Sequence, residues 1–124
     1  MALVIPILRM FDYNKTIEFY VDWLGFKIDW KHSPEGSPIY MQISLRDIVF
    51  HLSEHHGDSS PGAHLRIEEF KSLKDYHQQL LDKEYKYNRP GIMVPEWDDN
   101  EILVTVHDPF GNRISFSEVT DSHS

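Results

Sequence analysis

Eight histidines, three tryptophans and twenty carboxylates are the side chains of this 124-residue chain with most chemistry to offer, and there is no cysteine. Without thiols, disulfides, thiolate metal sites and cysteine nucleophiles are all excluded. No serine has the strand-turn-helix setting of a nucleophile elbow, and no glycine-rich phosphate loop occurs, so hydrolase and nucleotide-dependent chemistry have no support. Rings and charge are the features most suited to holding a ligand. Trp97 stands in an acidic loop with Glu96, Asp98 and Asp99, where a ring face and negative charge coincide. An aromatic content of 13% is high for so small a chain and points to a stacking pocket. His55 and His56 lie in a polar, turn-rich stretch and read as a solvated loop, whereas His77 and His107 read as structural.

Twenty acidic against twelve basic residues give a net charge of −8. Such a surface repels phosphate backbones and favours cationic partners, so no nucleic-acid partner is expected. The apolar runs are far shorter than the ~20 residues a membrane span needs, and the N-terminus lacks a signal-peptide pattern. The expectation is a cytoplasmic protein with no membrane partner, long enough for a hydrophobic core without staples.

The residues that could touch a ligand must be positioned by elements that the pattern makes legible. Ile17, Tyr20, Val21 and Leu24 recur at three- and four-residue spacing and predict a helix of about three turns. Asp12 or Asn14 caps its start, and Gly25 supplies the left-handed residue at its end. Residues 3–10 before it and 26–30 after it read as strands. Sliding the chain by 57 residues lays Leu8, Arg9 and Met10 on Leu65, Arg66 and Ile67, Glu18 and Phe19 on Asp75 and Tyr76, and Trp23 and Leu24 on Leu80 and Leu81. One offset held across a strand and a helix indicates an internal duplication.

In chain order, residues 39–45 alternate, with Ile39, Met41, Ile43 and Leu45 on one face and Tyr40, Gln42 and Ser44 on the other. Residues 48–52 form the next strand. The second half repeats the order: strand 63–68, a helix with Phe70, Leu73, Tyr76, His77, Leu80 and Leu81 inward and a Ser72/Asp75 capping box, a strand within 85–94, strand 102–106, a turn at 108–112 and strand 113–119. The last few residues are expected to fray. The fold class is α+β: two tandem βαβββ modules in one domain, module 1–54, linker 55–61 and module 62–119.

Two βαβββ halves, Phe19 and Tyr20 ahead of Leu24, Gly25 and Phe26, and the run from Asp108 through Asn112 into a final strand resemble the vicinal-oxygen-chelate superfamily. That superfamily includes glyoxalase I, extradiol dioxygenases, fosfomycin-modifying enzymes and bleomycin resistance proteins. The resemblance implies cupped mixed sheets and dimers whose cups line ligand cavities. Its enzymes hold a divalent metal at positions that fall here on Ile5, Gly62, His51 and Ser115. Only His51 is a good ligand among these, so the resemblance implies no metal cofactor.

The metal-free branch is that of the bleomycin resistance proteins, acidic dimers that sequester a cationic glycopeptide, and local segments around Ile5–Leu8, Asp29–Trp30 and Asp47–Ser53 are similar to theirs. The resemblance implies a non-catalytic homodimer that exchanges its first strand around Pro6. Its ligand would be cationic and aromatic, bleomycin-like, held by Trp30, Tyr40, Phe50, His51, His64, Trp97, Asp98 and Ser115. His64 lies two residues beyond a vacant metal slot and shares its face. Trp23 reads as core or dimer contact. Two further readings stay open: an enzyme of the same fold that recruits metal through His51, His64 and Glu118, and a carrier or sensor for another aromatic or cationic small molecule.

Overall fold

A computed structural model describes residues 2–119. The chain divides into two compact units, one of residues 1–63 with 109–112, the other of residues 64–108 with the rest of the C-terminal segment. Each unit carries one four-stranded mixed sheet. No helix among the described residues is long and apolar enough to cross a membrane. The fraying expected of residues 120–124 lies outside the described residues.

In the first unit the sheet order is β1 (Ile7–Arg9), β4 (Ile48–Ser53), β3 (Tyr40–Leu45), β2 (Lys27–His32). β1 runs parallel to β4, and the other pairs are antiparallel. Asp12 caps the helix, its side chain accepting from the Lys15 N–H at 3.1 Å. The helix begins as α1 (Tyr13–Thr16) and widens into a π-helical segment (Ile17–Trp23). There Leu24 N donates to Phe19 O at 3.0 Å, five residues back. Gly25, at φ 92, then ends the helix as its sequence position suggests.

The wider turn changes which residues face inward. Phe19, Tyr20, Trp23 and Leu24 are buried, while Ile17 and Val21, expected in the stripe, are only half-buried. A stripe laid out for 3.6 residues per turn rotates when successive hydrogen bonds reach back five residues. The rings continue as a ladder, Tyr20 edge-on to Phe26 and Phe26 stacked on Phe50 with centroids 5.3 Å apart. Met41, Ile43 and Leu52 complete this core.

The second unit has the same connectivity: β5 (His64–Ile67), β8 (Arg113–Val119), β7 (Glu101–His107), β6 (Ile92–Met93), with β5 parallel to β8. The duplication read from the 57-residue offset is thus present as two copies of one sheet order. The strand expected within 85–94 shrinks to β6 because Pro90 and Gly91 interrupt what precedes it. Phe70, Tyr76 and Phe116 form a ring triad with centroids 4.7 to 5.4 Å apart, closed by Leu73 and Leu80 of α2 (Leu73–Asp82).

The Ser72/Asp75 capping box does not form. Ser72 is left-handed at φ 57 and makes no side-chain cap. Instead Glu118 of β8 reaches the helix start, its two oxygens accepting from Ser72 N at 3.1 Å and Leu73 N at 3.0 Å. A carboxylate at the free amides also suits the positive end of the helix dipole.

Candidate ligand-binding site

In the first unit the face of the sheet opposite the helix gathers Trp30, Tyr40 and His51. The register explains this: His51 lies opposite Gln42, and Gln42 opposite Trp30. A register shift between Ile28 and Trp30 makes a bulge in β2. Bulges re-aim side chains, and here two consecutive residues, Asp29 and Trp30, both reach this face. Trp30 stacks on Tyr40, centroids 5.9 Å apart at 12°, and meets the His51 ring edge-on at 5.3 Å. Trp30 remains 42% exposed, so the outer face of the stack is open to a ligand.

A directed hydrogen-bond chain sits beneath the rings. Gln42 Nε2 and Ser44 Oγ donate to the two oxygens of Asp29, each at 3.0 Å. With its amide nitrogen so engaged, Gln42 presents Oε1 to His51 Nε2 at 3.0 Å, which makes that nitrogen the protonated one. His51 Nδ1 is then left to accept from the Tyr40 hydroxyl at 2.7 Å. The bonds from Gln42 and then Ser44, with the nearby Lys27 charge, hold the Asp29 carboxyl below the usual carboxylate range. Burial, with the Asp58 charge adding, pushes the Tyr40 phenol up, so it stays a donor. The result is a fixed aromatic platform with an ionised carboxylate at its base.

Phe50 does not join this group. It is adjacent in sequence to His51 and therefore on the other side of β4, buried against Phe26.

The second unit carries its own polar face. His64 Nε2 lies 3.0 Å from Ser115 Oγ, which in turn is 2.9 Å from Thr105 Oγ1. Further along the same strands, Glu101 is 4% exposed and held by three donors. Arg66 pairs with it, Ser117 Oγ donates at 2.7 Å and Trp97 Nε1 donates at 2.8 Å. The Trp97 ring is otherwise exposed and carries the Arg66 guanidinium 5.9 Å from its centroid. A cavity of about 300 Å³ opens beside this network, lined by Arg66, Lys71, Glu101, Ser117 and Glu118 among others. Asp98 turns away to close its own loop, accepting from Asn100 N at 2.8 Å.

Of the eight residues expected to hold one ligand, the structure gathers Trp30, Tyr40 and His51 in the first unit and His64 and Ser115 in the second, and the residues that hold them were not among the eight. Gln42 was legible, because it shares strand parity with Tyr40. Glu101 also carried a signal, a carboxylate beginning an otherwise apolar strand. Asp29 was hidden by the bulge, and the Arg66–Glu101 pair by its 35-residue separation.

The metal positions implied by the superfamily do not fit a metal here. Ile5 and Gly62 have no donor atoms in their side chains, and both ring nitrogens of His51 are engaged by Tyr40 and Gln42. His64 is bonded to Ser115, and Glu118 caps α2. Among the described residues no group of three or more His, Asp or Glu side chains is arranged to hold an ion.

A family profile described as "Glyoxalase superfamily protein" matches residues 1–123. The chain belongs to the glyoxalase superfamily. Solved structures agree on this glyoxalase-type fold at low identity. A bleomycin resistance determinant encoded on the transposon Tn5 matches with TM-score 0.73 and 17% identity, covering 95% of this chain and 98% of that one. A bleomycin-binding protein complexed with bleomycin gives 0.69 and 19%, with the same coverage. TnmS3, an antibiotic-binding protein from Streptomyces sp. CB03234, gives 0.69 and 16%, covering 97% and 98%. No curated protein matches the chain.

Proposed function

We propose that this glyoxalase-superfamily protein binds and sequesters a small molecule with a cationic group and a flat aromatic system, of the bleomycin type, without converting it. The observation that carries the reading is the Trp30–Tyr40 stack with Asp29 at its base. A planar ring laid on the open face of Trp30 gains stacking and area burial. An ammonium or amidinium group near Asp29 gains a charge-assisted hydrogen bond. The net charge of −8 attracts such a ligand at long range. Side chains that do not fit a metal at the family's positions support binding over the metal-dependent reactions of glyoxalase relatives, and the antibiotic-binding structures of the same fold support the ligand class. In this reading two copies associate, with the segment ahead of Pro6 exchanged between them.

The test is a titration of the purified protein with metal-free and copper-loaded bleomycin, followed by tryptophan fluorescence. Saturable quenching at micromolar drug is expected, largely lost in Trp30→Ala and retained in Trp97→Phe. A flat response to both forms of the drug would remove bleomycin from the reading. Quenching that survives Trp30→Ala unchanged would move the site away from this platform.

A further inference from the structure

The cavity of about 300 Å³ in the second unit has Arg66, Glu101, Ser117 and Val119 in its wall. Strand parity explains the grouping. Arg66 lies opposite Ser115, Ser117 is the next residue of that parity on β8, and Glu101 lies opposite Val119, so all four side chains share the sheet face turned away from the Phe116 ring. The Arg66 guanidinium is fixed in direction: its Nε donates to Glu68 at 3.2 Å and its Nη2 to Glu101 and to Ser117 Oγ, the latter at 3.4 Å. Its Cζ lies over the Trp97 ring, and that indole is itself tied to Glu101 through Nε1. Held in this way, the Arg66 side chain is still 38% exposed. Trp97 is not in the cavity wall, so the cavity meets the guanidinium on a side the indole leaves open.

A guanidinium whose plane is set before a ligand arrives has already lost the rotamer freedom that a free arginine must give up on binding. Such a flat, weakly hydrated cation stacks on ring faces, and an electron-rich ring suits it because the face of that ring is negative. The remaining wall decides the charge of the ring. Four carboxylates against Arg66 and Lys71 disfavour an anion, while the fixed guanidinium disfavours a cationic ring laid against it. Glu68 is exposed and uses one oxygen for Arg66, which leaves the other to accept from a hydroxyl or amine on the ring edge. A volume of about 300 Å³ suits a single or fused ring system rather than a larger ligand.

We propose that this cavity is a second small-molecule site, in which a neutral, electron-rich ring bearing hydrogen-bond donors, of the phenol or catechol class, stacks on Arg66. Glu101 and Trp97 serve the site by holding the guanidinium. All of these residues belong to the second unit, so the site does not depend on the Trp30 platform of the first.

An N–H correlation NMR titration of the isotope-labelled full chain with catechol, benzoate and benzylammonium tests this, since the three probes carry one ring in three charge states. Catechol should give saturable shifts at millimolar concentration, centred on the Arg66 Nε–H, the Trp97 indole N–H and the amides of Glu101 and Ser117. Its Kd should be at least about fivefold below those of both charged rings. Arg66→Lys keeps a charge beside Glu101 but loses the plane, so it should weaken catechol by about fivefold and erase its lead over benzylammonium. Trp30→Ala should change none of this. Benzylammonium or benzoate binding as tightly as catechol would overturn the site, as would catechol shifts that do not saturate or that centre on other residues. An Arg66→Lys chain that binds catechol like wild type is equally decisive against it, and shifts that vanish in Trp30→Ala would assign the ring to the first unit instead. Should Arg66→Lys fail to fold, the wild-type ranking of the three probes and the residues that shift decide between these outcomes. A flat bleomycin titration leaves this site standing, and loss of this site leaves the bleomycin reading standing.

Discussion

Tyr40 contributes both a ring to the platform and a hydroxyl to His51, and the two roles separate experimentally. Tyr40→Phe keeps the ring and leaves His51 Nδ1 without its donor, which should cost about 1 kcal/mol of stability and change bleomycin affinity little. Trp30→Ala removes the open stacking face, and an affinity loss of about tenfold is expected with little change in melting temperature, because Trp30 is half-exposed. Asp29 sets the acid limb. Its carboxylate has partners in the folded state that the unfolded chain lacks, so its contribution is in place above the ordinary carboxylate pKa and is lost as pH falls through the depressed value. An NMR titration should therefore give Asp29 a midpoint below that of exposed carboxylates, rising toward it in Gln42→Leu. An unshifted midpoint in the wild type would remove the Gln42 bond as the anchor of the chain.

Elements differ in how far the sequence reveals them, and the difference follows the range of the interactions involved. The succession of strands and helices was readable because alternation is local and the repeat offset carries it from one half to the other. Gly25 and Asp12 were readable because caps depend on near neighbours. The π-helical segment was not, since the same aromatic spacing suits either hydrogen-bond pattern until the strand beneath selects one. Phe50 was ambiguous because residues 48–50 are all apolar and give no parity signal. The start of α2 is held from 45 residues away by Glu118, which no local motif could announce. Glu118→Ala should lower stability by about 1 kcal/mol, or the melting temperature by about 5 °C, with partial recovery in Glu118→Gln. Ser72→Gly should raise it by about 0.5–1 kcal/mol, because Ser72 sits at φ 57, where glycine is favoured. If Glu118→Ala melts like wild type, the carboxylate is not the cap of α2.

At the scale of the whole molecule, the deciding question is what covers the strand at the end of the first sheet. β1 is three residues long and pairs on one side only, with β4. The residues leading into it are apolar and open, Leu3 at 74% and Val4 at 96% exposed, and Ile7 within it at 40%. Exposed apolar chain beside an unpaired strand edge invites association, and residues 2–8 carry no charged side chain to oppose it. Pro6 lies just ahead of β1, and its carbonyl accepts from His51 N at 2.9 Å, so the path of the chain at that point is tied to the strand bearing the candidate site. In the proposed homodimer this segment is buried, which covers the apolar surface. Sedimentation equilibrium should return twice the 14.7 kDa chain mass at micromolar concentration. Deleting residues 1–5 keeps Pro6 and its bond to His51, so the truncated chain should stay folded while dissociating. A wild-type chain that sediments at its single-chain mass would end the dimer reading. A truncated chain that remains dimeric would place the interface elsewhere and take the proposed exchange around Pro6 with it.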